Sequence, residues 1–510
     1  MGSSPSTGSG GVETGSGRVE PGSGGVKTGS GHVEQWELRA RFAVSLATLY
    51  GEEVPAYTTL VDVSRAVNED FVAAHGADAE RLGSIGRVTA ERHGAIRVGS
   101  PTEMAQVARL FAGFGMHPVG FYDLRDASSS SVPVVSTAFR PVATDELARN
   151  PFRVFTSMLV TDDRRFFDAA TQERLEAFVA ARELFSPEAL ALADRAVAEG
   201  GLPAADADRL LELATASFAL STEPIERAWY DHLEAISAVA ADIGGVPATH
   251  INHLTPRVLD IDDLYARMTA RGITMIAEIQ GPPGWEGPDV LLRQTSFKAL
   301  AEPRTFREAD GSVTTGELRV RFGEVEQRGI ALTVAGRDLY DDLTIEVDRR
   351  LADAPRGTTR VEVAAEVWRE NLPVTETGLA VAGLGLFRFR VGDPAAVRPS
   401  TGSGSVPLAE LLDSGALVAE PIVYEDFLPR SAAGIFQSNL TDEGSRDDEQ
   451  LGTPYDLERL SEVVGIAIAD PNDLYAAQQA ASLAEAEAAL GSRIDTTPVP
   501  LSQTQENAPA

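Results

Sequence analysis

His93 and His253 are the residues with the most chemistry to offer. His93 lies in ERHGAIRVG and His253 in HINHLTPRVLD, and each is followed four residues later by an arginine, Arg97 and Arg257. With these pairs superposed, Ser100 falls on Asp260 and Met104 on Leu264. The helical stretches that follow, and the segments MHPVGFY and ITMIAEI, then coincide as well. The chain therefore reads as two copies of a strand–helix–strand unit. A lone histidine in a strand is more often a hydrogen-bonded core residue than a ligand. Two at equivalent positions of a duplicated unit converge on one centre if the copies pack pseudo-symmetrically, which favours a metal. His250 competes with His253, but it stands three residues earlier and so belongs to the opposite strand face. Pro256 confines this strand to an edge or an end.

A third ligand should be a carboxylate on an inward strand face. In RFGEVEQRG, Glu324 and Glu326 share the apolar face of Leu318, Val320 and Phe322. Buried carboxylates are costly unless paired, so these two ask for a metal or a basic partner. Arg328 could be that partner for Glu326, and the strand pattern leaves both acids open as ligands. Two histidines and one carboxylate with open positions form the facial arrangement of non-haem Fe(II) oxygenases; zinc and manganese also accept such donors. Asp260, Asp262 and Asp263 could form a cation site, but they fit better as a helix cap and first-turn acids. No nucleophile elbow and no dinucleotide-binding fingerprint stands where one would be expected.

Composition narrows the classes. The chain has 510 residues, no cysteine and seven histidines. Disulfides, thiolate zinc sites, iron–sulfur clusters and a cysteine nucleophile are thereby excluded. Lys and Arg number 44 against 76 Asp and Glu, a net charge of −32. That balance argues against nucleic acid and anionic membranes as partners. No run of apolar residues is long enough to span a bilayer, and no signal-peptide pattern opens the chain, so a soluble cytoplasmic protein is expected.

The elements that must position these residues follow from periodicity. Residues 1–34 are a Gly/Ser-rich repeat that reads as a disordered arm. Residues 35–163 open with two amphipathic helices, the first carrying Leu38, Phe42, Leu46 and Leu49 at helical spacing. The first metal-binding unit follows, its helix capped by Ser100 with Pro101 at the first position and Glu103 as reciprocal partner. VPVVSTAFRP and RVFTSMLVT read as further strands. Residues 164–244 read as helical throughout, an insertion without chemistry, with a start at Ser186 and a stop at Gly200. Residues 245–440 hold the second unit, then strands at LLRQTSFKAL, GELRVRFGEVEQRGIALT and GLFRFRV. Residues 441–510 hold an Ala-rich helix at 471–490 and a tail expected to be disordered.

Several of these stretches resemble the 2-oxoadipate dioxygenase/decarboxylase family, the 2-hydroxyglutarate synthases. They are ERHGAIRVG, STAFRP, PFRVFTS, HINHLTPRVLDID, LLRQTSFKAL, RFGEVEQRG and YEDFLPRSAAGIFQSNL, spread over roughly residues 36–440. The resemblance implies an α+β fold: duplicated vicinal-oxygen-chelate-like βαβββ modules forming a metal-centred, barrel-like sheet, with a helical domain inserted between them. It implies Fe(II) held by His93, His253 and Glu324, and so decides between the two acids. It places substrate contacts at Arg97 and at Arg430-Ser431, where a small apolar residue stands before the serine in the family's pattern and Arg430 stands here. The implied reaction, in lysine catabolism, takes a 2-oxo dicarboxylic acid and O2 to 2-hydroxyglutarate and CO2, with Arg97 suited to the far carboxylate. Two other readings use the same residues. One is a related metal-dependent dioxygenase acting on another oxo acid or a catechol; the other is a non-catalytic protein that binds a small acid.

Overall fold

The structure is a computed structural model that describes residues 31–76, 79, 81, 88, 92–126, 132–299, 301–318, 321–393, 405–428, 445–447 and 449–501. Its centre is a five-stranded sheet, in the order His117–Asp123, Val134–Arg140, Arg153–Leu159, Arg92–Val98, Ile251–Pro256. The His93 strand runs parallel to Arg153–Leu159 and antiparallel to the His253 strand. Pro256 sits at the end of the edge strand, opposite Arg92, where a missing N–H is tolerated.

Apolar side chains cover both faces of this sheet. Ile96, Val98, Val154, Met158 and Phe139 point into one core, with the helices Gln35–Glu53, Pro55–His75 and Pro101–Gly113. Ala95, Phe155, Ala138 and Tyr122 point into the other. His93 and Arg97 alternate with Ile96 and Val98 and so share the face of Ala95. A polar side chain on a strand buried on both faces needs a partner.

The first unit is strand, helix and three strands: Arg92–Val98, Pro101–Gly113, His117–Asp123, Val134–Arg140, Arg153–Leu159. Ser100 accepts from the Glu103 N–H at 3.3 Å. The Glu103 carboxylate reaches Gly99 N–H at 2.6 Å instead of closing the expected box, and pairs with Arg182 of the insertion at 2.7 Å. In the second unit the strand Ile251–Pro256 and the helix Ile261–Ala270 are present, the latter capped by Asp260. The expected closing strand over ITMIAEI is not continuous. Ile276 N–H donates to Ser296 O at 2.8 Å and Gln280 N–H to Gln294 O at 2.8 Å. The chain thus advances four residues against two on its partner strand, which interrupts the ladder.

GELRVRFGEVEQRGIALT also departs from the single strand expected. Val313–Leu318 forms a hairpin with Glu302–Arg307, and Glu324–Arg328 pairs separately with Leu292–Ser296. A Cβ on Gly323, just before the second strand, would lie 1.9 Å from the Phe297 ring, so the close approach there requires glycine. The Glu324 strand joins the His253 strand through a bridge between Arg257 and Glu326 and a 2.8 Å bond from Val258 N–H to Glu326 O.

The insertion carries the helices Ala169–Ala180, Pro187–Glu199, Ala204–Ala216, Arg227–Glu234 and Ala238–Gly244. Ser186 caps the second of these, and Gly200, at φ 72°, ends it. The stretch is not helical throughout, because Gly201–Pro203 pairs with His32–Glu34 and Ile225–Glu226 with Glu302–Arg307. His32–Glu34, read as the end of a disordered arm, is therefore a strand; residues 1–30 lie outside the described residues. Three helices the periodicity left unread, Val334–Asp353, Arg360–Asn371 and Glu376–Val381, follow the Glu324 strand. The Ala-rich helix spans Pro471–Leu490 and packs on the strand Phe387–Val391, where Gln479 and Ser482 accept from Phe387 and Phe389 N–H. Beyond it Arg493–Asp495 pairs in parallel with Ser405–Pro407, so part of the expected tail is ordered. No helix among the described residues is long and apolar enough to cross a membrane.

The segment 424–428 is pinned from every side. Arg140 grips the Asp426 carboxylate at 2.8 and 2.9 Å, and the Tyr475 hydroxyl donates to the same carboxylate. Glu425 N–H donates to Tyr475 Oη at 2.7 Å. Arg153 donates to Glu425 O at 2.8 Å, and Arg328 to the carbonyls of Tyr424 and Asp426 at 2.8 and 3.0 Å.

Two substitutions test these restraints. Gly323→Ala is expected to lower stability by about 1–3 kcal/mol, as overpacking does, and denaturant melts will report it. Tyr475→Phe removes a hydroxyl that serves a buried carboxylate and a backbone N–H; a loss of ~1–3 kcal/mol is expected by the same measurement.

Candidate metal centre

His93, His253 and Glu324 each offer a ligand atom, and these atoms lie within 4.8 Å of one another. The pairing explains their convergence. Ala95 sits opposite His253 across the two antiparallel strands, so both histidines project from one face, one rung apart. Their rings meet edge to face with centroids 5.4 Å apart. The neighbouring strand brings in Glu324, with Oε1 at 3.1 Å from His93 Nε2 and Oε2 at 3.9 Å from His253 Nδ1. All three are buried. Phe427 stands over the edge of the His93 ring at 4.9 Å and Phe322 beside His253 at 5.1 Å.

The donor set fits a divalent metal. Neither ring nitrogen of His253 has a hydrogen-bond partner among the described residues, although the ring is buried. Burial is the main cause that pushes its pKa down to about 4; the charges of His93 and Arg97 add to this and Glu324 opposes it. A neutral imidazole with an uncommitted lone pair is what a metal requires. Two imidazoles and one carboxylate suit Fe, Zn or Mn rather than Mg or Ca.

The two acids of the strand differ in their partners. Glu326 is bound at both oxygens by Arg328, at 2.7 and 2.8 Å. Burial alone would raise its pKa, but Arg328 and His93 hold it well below the usual carboxylate range. For His93, burial pushes down, yet Glu326 and Glu324 prevail and its pKa is raised. Glu324 belongs to the buried group that could hold a metal ion, and Glu326 stands behind His93.

Arg97 lies on the same strand face as His93 and pairs with Asp242, the last turn of the insertion. Asn252 Nδ2 donates to the same Asp242 oxygen at 2.9 Å, and His250 Nε2 lies 3.3 Å from the other. These contacts correct two expectations. The insertion does bring a charged group to the site. His250 also meets the same carboxylate as Arg97, although alternation placed it on the opposite face. The register jumps from Ala95–His253 to Ile96–Ile251, so Asn252 is an extra, bulged residue that re-aims what precedes it. Asp242 escaped the sequence reading because AVAADIG looks like one more apolar helix turn.

Arg257, the repeat counterpart of Arg97, is buried beside the Glu326 backbone. Asp260 accepts from Asp263 N–H at 2.9 Å, while Asp262 pairs with Arg293 and Asp263 with Arg267, so this cluster serves the helix rather than a cation. Arg430 and Ser431 lie outside the described residues; the description reaches Leu428. His75 stacks on Phe71, His232 contacts Thr171 at 3.0 Å, and His117 opens the outermost strand of the sheet.

The model for the 2-oxoadipate dioxygenase/decarboxylase family matches residues 42–439. A 2-oxoadipate dioxygenase/decarboxylase from Mycobacterium tuberculosis is 54% identical over 439 residues, covering 86% of this chain and 95% of the relative. Its counterpart from Pseudomonas putida is 39% identical over 452 residues, covering 88% and 95%. The crystal structure of the Pseudomonas putida hydroxyglutarate synthase in complex with 2-oxoadipate is similar with a TM-score of 0.75 at 37% identity, covering 91% of this chain and 100% of that one. The chain belongs to the 2-oxoadipate dioxygenase/decarboxylase family.

Proposed function

We propose that this chain is an Fe(II)-dependent dioxygenase/decarboxylase that converts 2-oxoadipate and O2 to 2-hydroxyglutarate and CO2. One observation carries the reading. A buried two-histidine, one-carboxylate group lies at the junction of two repeated strands, with an arginine on the same strand face, in a chain 54% identical to a named enzyme of this activity. The two repeats are read as vicinal-oxygen-chelate-like modules that share the centre between them. Bound by His93, His253 and Glu324, Fe(II) would supply the redox chemistry that O2 needs and a chelation point for a 2-oxo acid.

The remaining work falls to the chain's own side chains. His253, neutral in its buried setting, keeps a lone pair for the metal. Arg97 holds the far carboxylate of the dicarboxylic acid, and a guanidinium can do so bidentately. Asp242 fixes the direction of that guanidinium and balances its charge. Phe427, Phe322 and Phe155 keep water from the reacting end, so oxidising equivalents are spent on the substrate. Arg430 and Ser431, next along from the pinned 424–428 segment, are proposed to complete the substrate pocket.

The direct test is O2 uptake by anaerobically prepared protein given Fe(II) and 2-oxoadipate, with the product mass recorded. Stoichiometric O2 loss with a product at the mass of 2-hydroxyglutarate is expected, and a metal chelator added beforehand should abolish it. Bound iron with no O2 uptake on any 2-oxo acid would overturn the reading. His93→Ala should lose both metal content and turnover. Arg97→Lys should keep metal content and raise KM for 2-oxoadipate by at least ~10-fold, because an ammonium cannot replace the fork. Unchanged KM would remove Arg97 from substrate binding.

A further inference from the structure

We infer that Glu326 and Arg328 form a positioning pair that orients the ligand His93 and ties it to the 424–428 segment; the inference rests on the metal reading above. Glu326 Oε2 lies 2.8 Å from His93 Nδ1, on the side of the ring away from Nε2, the atom that faces Glu324. The contact has hydrogen-bond length, and Nδ1 has no other hydrogen-bond partner among the described residues. A metal on Nε2 would require the proton to sit on Nδ1, and Glu326 is the acceptor at hand. Imidazole ligands are generally oriented in this way by a carboxylate behind the ring.

The placement of the pair argues for this role. Glu326 is fully buried, and a buried ion pair by itself is weak evidence for stability. Both Glu326 oxygens are engaged by Arg328, so the acid cannot join the metal without breaking that fork. The same guanidinium donates to the carbonyls of Tyr424 and Asp426. Those residues flank the chain just before Phe427, whose ring stands over the edge of His93. Displacing the Arg328 fork therefore frees the acid behind the ligand and removes one of the restraints on the segment in front of it. Glu326 touches neither the reacting atoms nor the substrate; it acts through His93.

The test is anaerobic titration of the apo-protein with Co(II), read by its visible absorption bands, and with Fe(II), read by bound metal. Wild type, His93→Ala and Glu326→Gln are compared, each checked for folding by its thermal melt. Folded Glu326→Gln is expected to bind about 10–100-fold more weakly than wild type, with altered Co(II) band intensities. A lower melting temperature with metal affinity within twofold of wild type would show a purely structural pair and overturn the inference. If Glu326→Gln does not fold, Arg328→Lys is measured instead, and affinity within twofold of wild type overturns the inference in the same way. Absence of metal binding by wild type itself would overturn the metal reading rather than this role for Glu326, so the two failures are distinguishable.

Discussion

The antiparallel pairing of Arg92–Val98 with Ile251–Pro256 is the contact on which the rest of this molecule depends. It sets Ala95 opposite His253, and through the alternation of a strand it puts His93, Arg97 and His253 on one face. A slip of one residue would turn His253 into the opposite core. The bulge at Asn252 then changes the rule beyond that point. It brings His250 and Asn252 to Asp242, so one end of the pair faces the three-ligand group and the other a buried arginine.

Around that pairing the structure balances buried charge. Arg328 pairs with Glu326, Arg153 with Glu425, Arg140 with Asp426 and Arg97 with Asp242, all strongly buried. Unpaired, any one of these would be prohibitively costly in a low-dielectric interior. Paired, they draw together segments far apart in the chain, because a guanidinium has donors enough for a carboxylate and for backbone carbonyls. Arg328 and Arg153 do both. Glu324 belongs to no such arginine pair among the described residues, and His253 has no hydrogen-bond partner there. The two side chains left out of the arginine pairing face each other in the three-ligand group.

The helical insertion and the C-terminal helix reach the site by this means. Asp242 closes the insertion on Arg97. Tyr475 holds Asp426 and the Glu425 N–H, and so steadies the segment that carries Phe427 to His93. A scaffold of strands places the histidines, while helices fix the side chains around them.

Local chemistry was legible in the residues themselves. The His–Arg spacing and its repetition singled out His93 and His253. Ser100, Ser186 and Asp260 announced their helices, because a cap is a contact between residues three apart. The alternation of RFGEVEQRG put Glu324 and Glu326 on one face. Alternation could not say which acid lies between the two histidines and which lies behind His93, since that depends on a strand from elsewhere in the chain. Nor could it show that Gly323 lies against the Phe297 ring, that Asn252 bulges, or that Asp242 and Tyr475 come to the site. Each of these depends on a contact beyond the reach of a local period: Asp242 meets Arg97 from 145 residues away, and Tyr475 meets Asp426 from 49.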